Sequence, residues 1–349
     1  MDSIPRRGEL KIFACRSALK FGQRVCEELT NLHKSLGIDK EISLGKSSIK
    51  IFADSDFVVE LEENVRGKDV YIIQTGTKDD KLGFSMHDNK EELIYFIDAA
   101  KRDGKAANVV AVIPLYFSSR QDKTWARQSY NAKIVARQLE AIGIDGLITV
   151  DLHADQIKGF FDNTWVEALY ASNILVDYLL SKYGAEELRK WVYSSVDANG
   201  FPKAEHYAKI FGAETSVSVK RRDYNVPNKV DKVYMLGDVK DKTVCIVDDM
   251  IDTGRSLEKA IAQLEKEQAK EILVVSTHLL LNKEAKNILS NFYNNRNGIL
   301  KKVIGTNSVY NEDDSPLFEI VPSEQLIANA VYRINHDLSI SEFYKRKTI

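Results

Sequence analysis

Two adjacent carboxylates, Asp248 and Asp249, are followed at short spacing by Asp252, Thr253, Gly254, Arg255 and Ser256. The apolar run Val244-Cys245-Ile246-Val247 leads straight into the acids, and a helical pattern opens at Leu257. This arrangement suits a sugar phosphate. Backbone N–H groups at Thr253–Ser256 lie where a helix starts, and a helix N-terminus binds phosphate. Carboxylates turned toward that phosphate would repel it. They are better matched to neutral hydroxyls, and two neighbouring acids fit two vicinal hydroxyls of a ribose. A capping turn with Asp252 or Thr253 as N-cap would account for the helix start, but it gives Asp248 and Asp249 nothing to do.

A second cluster follows the apolar run Leu147–Val150: Asp151-Leu152-His153-Ala154-Asp155-Gln156-Ile157-Lys158-Gly159-Phe160-Phe161-Asp162. A neutral imidazole at a strand end, oriented by a nearby acid, is a candidate metal ligand. On periodicity alone a structural histidine is the commoner reading. Two further polar groups stand apart from these. Arg120-Gln121-Asp122-Lys123 reads as either a ligand loop or a solvated turn, and Lys220-Arg221-Arg222 as either a phosphate clamp or a surface charge run. Asp197, in Asp-Ala-Asn-Gly, has the form of a turn acid.

Positioning such groups takes short buried strands whose carboxyl ends face a ligand. The chain alternates short apolar runs with amphipathic segments, which favours parallel sheets flanked by helices. Expected strands are Lys11–Ala14, Ile49–Phe52, Val70–Gln74, Val109–Pro114, Leu147–Val150, Trp191–Ser194, Thr215–Val219, Lys232–Leu236, Thr243–Val247, Ile272–Thr277 and Lys302–Thr306. Expected helices include Glu91–Arg102 and Ile134–Ile142. The asparagine-rich stretch Asn291–Gly298 reads as a loop. A faint duplication links Val135, Leu139, Ile142 and the strand after them with Leu257, Ile261, Leu264 and theirs. Each second strand is followed by, or ends at, a histidine, His153 or His278. Two similar α/β domains are expected, 1–165 and 166–349, meeting near Phe160–Tyr170.

At 349 residues the chain is long enough for two cores. A net charge of −2 gives no electrostatic case for nucleic-acid binding. Three scattered cysteines, Cys15, Cys26 and Cys245, suit a reducing compartment and neither a disulfide framework nor a zinc site. No apolar run approaches a membrane span, and Met1–Leu10 has no signal-peptide core. The expectation is a cytoplasmic protein without membrane or nucleic-acid partners.

The segment Val244–Ser256 closely resembles the phosphoribosyl-pyrophosphate loop of type I phosphoribosyltransferases and of ribose-phosphate pyrophosphokinases. The resemblance implies that Asp248 and Asp249 hold ribose hydroxyls and that Asp252, Thr253, Gly254, Arg255 and Ser256 hold the 5-phosphate. The string from Val150 to Asp162 is similar to a signature of the pyrophosphokinases, in which the histidine contacts the Mg²⁺ of Mg-ATP; simple phosphoribosyltransferases lack it. Other matches occur in family order. Val65–Gln74 is similar to an early strand, and His87-Asp88-Asn89 to an Asn-Asp-Asn segment. Arg120, Gln121 and Asp122 match an ATP-contacting loop. Ser195–Gly200 matches a loop whose aspartate, here Asp197, belongs to the metal site. Lys220-Arg221-Arg222 matches the start of the mobile catalytic loop, where Lys220 and Arg222 close over phosphates.

Together these matches cover about residues 10–345. They imply two type I phosphoribosyltransferase-like domains, each a mainly parallel sheet flanked by helices. They also imply ATP and ribose 5-phosphate as substrates, Mg²⁺ as cofactor, and a homo-oligomer, a hexamer built from dimers. In that family Phe52 and the positions of Asp54 and Asp56 reach the adenine of an adjacent subunit. The chain departs from the pattern at several points. Asp54 and Asp56 replace the usual asparagine and glutamate, and Arg255 stands where glycine or another small residue is usual, restricting the backbone and adding charge beside the phosphate. Asn199 replaces a glycine. The stretch Lys123–Tyr130 is one residue short and lacks Pro-Ile-Ser, while Leu279–Leu300 is longer and lacks Phe-Ser-Gly. A phosphoribosyltransferase and a non-catalytic regulatory homologue are the alternative readings.

Overall fold

The structure, a computed structural model, describes residues 6–222, 230–295, 298–309 and 315–344. These form two compact units. One holds the described residues up to Tyr170 with 308–309 and 323–344; the other holds 171–307 with 315–322. The division falls five residues beyond the expected one, and the chain's last long helix belongs to the first unit.

In the first unit, β1 (Leu10–Ala14) is followed by α1 (Leu19–Ser35), the antiparallel hairpin β2 (Ser47–Ile51) and β3 (Phe57–Leu61), and β4 (Asp69–Ile73). Then come α2 (Met86–Asp98), β5 (Asn108–Val112), α3 (Asn131–Ile142), β6 (Gly146–Val150) and β7 (Trp165–Leu169). The main sheet is parallel throughout, in the order β1-β4-β5-β6-β7. Strands β4 and β6 are buried at every position, as strands covered on both faces must be. One face carries Phe13, Val70, Ile72, Val109 and Ala111, which pack with Leu93, Phe96 and Ile97 of α2 and Val135 and Leu139 of α3. Helix α1 covers the other face. A Cβ at its Gly22 would come within 2.7 Å of the Ala14 Cβ, so this close approach to β1 requires glycine. Helix α2 starts five residues before the expected Glu91 because Ser85 and Asp88 form a capping box. A π-helical turn, Ala99–Asp103, continues it.

The second unit contains α4 (Ser172–Tyr183), α5 (Ala185–Leu188), β8 (Val192–Ser195), α6 (Phe201–Phe211), β9 (Glu214–Arg222) and β10 (Val230–Leu236). After these come β11 (Thr243–Ile251), α7 (Arg255–Lys266), β12 (Glu271–Leu279), α8 (Lys283–Asn294), β13 (Leu300–Thr306) and β14 (Phe318–Val321). The sheet order is β10-β9-β8-β11-β12-β13-β14, with β10 antiparallel to β9 and every other pair parallel. Val244, Ile246, Ile272 and Val274 pack beneath α7 and α8. On the opposite face Tyr193 stacks on Phe211, with ring centroids 5.5 Å apart. The first half of the stretch read as a loop, up to Asn294, is the end of α8. Its Ala285, Leu289 and Phe292 recur at helical spacing and are buried, and this apolar stripe overrides the weak helix propensity of asparagine.

Helix α9 (Glu324–Asn335) returns to the first unit. Its Tyr332 meets His33 of α1 edge to face, 5.5 Å between centroids. The Asn335 amide donates to Asp69 Oδ2 at 2.9 Å and to the Gly8 carbonyl at 3.0 Å. That packing takes the C-terminal segment out of the second domain expected from the sequence. Cys15, Cys26 and Cys245 are buried free thiols. Among the described residues no helix is long and apolar enough to cross a membrane.

Candidate functional site

In the second unit the acid pair does not end its strand, as expected. β11 runs on to Ile251, with Asp248 opposite Ser276, Met250 opposite His278 and Ile251 opposite Leu279 of β12. On its other side pairing with β8 stops at Ile246, opposite Ser194. Asp248 and Asp249 therefore lie beyond the end of one neighbour while the other still supports them. The carboxyl end of β8 beside them is the kind of position where strand-end ligands bind.

The two acids are crowded. The Asp249 N–H donates to Asp248 Oδ1 at 2.9 Å, and Asp249 is only 7 % exposed. Burial, then the charge of Asp249 and the hydrogen bond to its side chain, pushes the Asp248 carboxyl up to about 8. Lys203, on the first turn of α6, opposes this from 3.5 Å at Asp249 Oδ2. Lys203 was not anticipated; the Phe-Pro start of α6 after Asp-Ala-Asn-Gly was the available signal, since proline favours the first helical turn.

Four residues after Met250 the chain turns at Gly254, with φ +76°, and α7 begins at Arg255. A Cβ at Gly254 would lie 3.1 Å from the Ala285 Cα on α8, so both the backbone conformation and the space call for glycine. The N-cap of α7 is Gly254, which has no side chain to cap with, rather than Asp252 or Thr253. The opening N–H groups of a helix lack intrahelical partners, so this end suits an anion.

The corner before α8 holds the turn from behind. The Leu281 N–H donates to the Ile251 carbonyl at 2.9 Å and the Asn282 N–H to the Asp252 carbonyl at 3.3 Å. Asn282 also caps α8 through the Ala285 N–H at 3.0 Å, and its amide reaches Asp252 Oδ1 at 3.5 Å. Arg255 does not strain the backbone, because it is already helical. Its guanidinium is engaged by Glu284 at 2.7 Å rather than left as an unopposed charge beside the turn.

Asp197 follows β8. Its Oδ1 accepts from the Asn199 N–H at 2.9 Å and the Gly200 N–H at 3.1 Å, while its carbonyl accepts from the Ser195 hydroxyl at 2.6 Å. The turn reading of this acid is thus realised through Oδ1. Lys220, Arg221 and Arg222 have backbone in β9, paired with Val233, Lys232 and Val230; the expected catalytic loop starts as an antiparallel ribbon. Their side chains and residues 223–229 lie outside the described residues.

In the first unit Phe52, Asp54 and Asp56 form the tip of the β2–β3 hairpin, with Phe52 43 % exposed. The strand expected through Phe52 stops at Ile51, because the Phe52 N–H closes the turn onto the Asp56 carbonyl at 2.7 Å. Asp54 Oδ1 accepts from the Asp56 N–H at 3.2 Å, and Asp56 Oδ1 from the Phe57 N–H at 2.8 Å. Both acids thus help to shape the tip.

Arg120 and Gln121 are exposed. Asp122, read with them as an ATP contact, is instead 4 % exposed and accepts from Gln156 Nε2 at 2.6 Å. That bond ties the loop after β5 to the loop bearing His153. Tyr130 and Phe160 tie the same two loops with an edge-to-face contact at 5.1 Å. His153 is exposed, three residues past β6, after Asp151 with φ +41°. His278, its counterpart in the apparent duplication, is fully buried inside β12, so the two histidines are not equivalent. Among the described residues no three His, Cys, Asp or Glu side chains gather as a metal cage.

Comparison with known proteins adds an independent line. Residues 10–143 match the model of the N-terminal domain of ribose phosphate pyrophosphokinase, and residues 176–306 match that of the phosphoribosyl transferase domain. The chain is 31 % identical to the ribose-phosphate pyrophosphokinase of Campylobacter jejuni, over 96 % of this chain and 98 % of the relative. It is 33 % identical to that of Nostoc sp., over 96 % of this chain and 94 % of the relative. The phosphoribosylpyrophosphate synthetase of Mycobacterium smegmatis superimposes with a TM-score of 0.79 at 28 % identity, over 94 % of this chain and 99 % of that one.

Proposed function

The chain belongs to the ribose-phosphate pyrophosphokinase family, and from that premise we propose that it transfers the pyrophosphoryl group of ATP to the 1-hydroxyl of ribose 5-phosphate. The products are phosphoribosyl pyrophosphate and AMP, for nucleotide biosynthesis. The observation that carries this reading is the sequence of features on one connection of the second unit. A half-buried Asp248 and a buried Asp249 are followed by a left-handed glycine that stands at the N-cap of a helix. Asp248 and Asp249 accept hydrogen bonds from ribose hydroxyls. The backbone N–H groups of 253–256 take the 5-phosphate, braced by Asp252.

Phosphoryl-type transfer depends on positioning and charge neutralisation more than on covalent participation. Lys220 and Arg222 supply positive charge to the phosphates, the guanidinium as a fork and the ammonium as a point charge. On the first unit Arg120 and Gln121 contact ATP, and Asp122 holds their loop through Gln156. Phe52, with Asp54 and Asp56, contacts the adenine of an adjacent subunit; the exposed hairpin tip suits such a role and a homo-oligomer, a hexamer of dimers. Each unit offers one candidate Mg²⁺ ligand, His153 in the first and Asp197 in the second. Mg²⁺ takes oxygen ligands and usually keeps several waters beside substrate phosphates. When bound, Mg²⁺ neutralises phosphate charge. A cytoplasmic location accompanies this reading.

The test is AMP release from ATP and ribose 5-phosphate with Mg²⁺. Release that requires all three supports the proposal. Ribose 5-phosphate binding without AMP release would favour the non-catalytic homologue, and consumption of phosphoribosyl pyrophosphate with a free base would favour a phosphoribosyltransferase.

A further inference from the structure

We propose that Glu284 is a specificity-determining residue that sets the charge felt by the substrate's phosphate, by holding the Arg255 guanidinium on α8. The inference rests on the reading of 252–256 as the 5-phosphate loop. Arg255 is the first residue of α7, so its own N–H is part of the anion-binding turn while its side chain leaves that turn. Its Nε donates to Glu284 Oε1 at 2.7 Å. Arg255 is 70 % exposed and Glu284 43 % exposed. A pair so exposed contributes little to folding stability, so the fold does not explain it. Its location does. Gly254 packs on Ala285, the residue after Glu284, so the phosphate turn and the start of α8 are in contact.

The electrostatic consequence has a definite sign. As built, guanidinium and carboxylate cancel beside the turn. Removing the Glu284 carboxylate alone leaves the cation next to a phosphate dianion with only the weaker pull of Glu258 against it, so that it can fold over the phosphate with a bidentate fork. Removing the guanidinium alone leaves a carboxylate there. Removing both restores neutrality. A merely structural pair would not give opposite effects in its two single variants. The pair thus keeps phosphate capture moderate: the protein carries a phosphate-binding residue at the loop and holds it in reserve.

The experiment is titration calorimetry of ribose 5-phosphate into the full-length parent, Glu284→Gln, Arg255→Gln and the double variant, at low and high salt. Glu284→Gln should bind about fivefold tighter and Arg255→Gln about fivefold weaker, with the double variant near the parent and the differences shrinking at high salt. Melting temperatures should stay close together across the set. Four equal affinities, or single variants that shift in the same direction, overturn the inference while leaving the loop assignment intact. A parent that does not bind ribose 5-phosphate overturns the loop assignment and this inference with it.

Discussion

Asp248→Asn is expected to stabilise the ligand-free protein at alkaline pH while weakening capture of ribose 5-phosphate. Asp248 is half-buried against a second acid, and its carboxyl is pushed from the ordinary 3.8 up to about 8. At about 1.36 kcal/mol per unit, that rise sets a ceiling on the order of 5 kcal/mol for the penalty of ionising it. The titration belongs to the pair rather than to one member, and the asparagine amide still has a desolvation cost of its own, so neutralising Asp248 should recover less than that ceiling, roughly 2 kcal/mol. For a unit of this size that amounts to about 4–8 °C in melting temperature. The sign follows from linkage: a carboxyl whose folded value is raised destabilises the fold as pH climbs from its unfolded value through its folded one. Parent and variant should therefore melt together at about pH 4, diverge between there and about pH 8, and keep a constant gap above it. Calorimetric melts across that range test the reasoning. A variant that melts at or below the parent at about pH 9 refutes the buried-acid argument, and so does an equal gap at about pH 4. The same change replaces a carboxyl that bonds the ribose with an amide, a loss of about 0.5–1.5 kcal/mol for a neutral hydrogen bond, so KM for ribose 5-phosphate should rise severalfold.

Lys220→Ala and Arg222→Ala should each lower kcat about a hundredfold with smaller effects on KM, because groups that act on developing charge stabilise the transition state preferentially; a rise in KM alone would make them binding residues. His153→Ala should weaken ATP binding in the presence of Mg²⁺ but not in its absence, measured by paired titrations, and equal losses under both conditions would return His153 to a structural role. Asn282→Asp keeps a good cap for α8 but sets a second carboxylate against Asp252. KM for ribose 5-phosphate should rise severalfold with the melting temperature unchanged, and an unchanged KM would confine Asn282 to capping.

Strand positions were legible where burial on both faces forces an uninterrupted apolar run, as in β4, β6 and the first half of β11. They were not legible where pairing continues through polar residues. Asp248 and Asp249 look like a strand end because local sequence cannot show that β12 keeps pairing as far as Ile251. Strand β3 was missed because Phe-Val-Val-Glu-Leu is half exposed. Strands β7 and β14 are short and lie at sheet edges, where composition is a weak guide. The place of α9 was invisible because it depends on Asn335 meeting Asp69 across 266 residues. Of the candidate site, the residues proposed to face ligands stand out by type, but the residues that touch them do not. Lys203, Gln156, Asn282 and Glu284 belong to no motif, and they matter only through the residue each one touches.

Those supports explain how one short connection can carry acids and a phosphate turn together. Two unopposed carboxylates within a few residues of an anion site would weaken it at the distances that separate neighbouring residues. The fold lowers that field before any ligand arrives. Lys203 offsets Asp249 from 3.5 Å, and burial favours the protonated form of Asp248. Farther along, Asn282 meets Asp252 with an amide rather than a charge, and Glu284 engages Arg255. Each ionised group on the connection is thus answered from another element, on α6 or at the start of α8. On the proposed reading, the backbone N–H groups that open α7 are then left to meet the 5-phosphate. The departures at Arg255 and around Glu284 are then a matched pair, since either one alone would unbalance the turn that both adjoin.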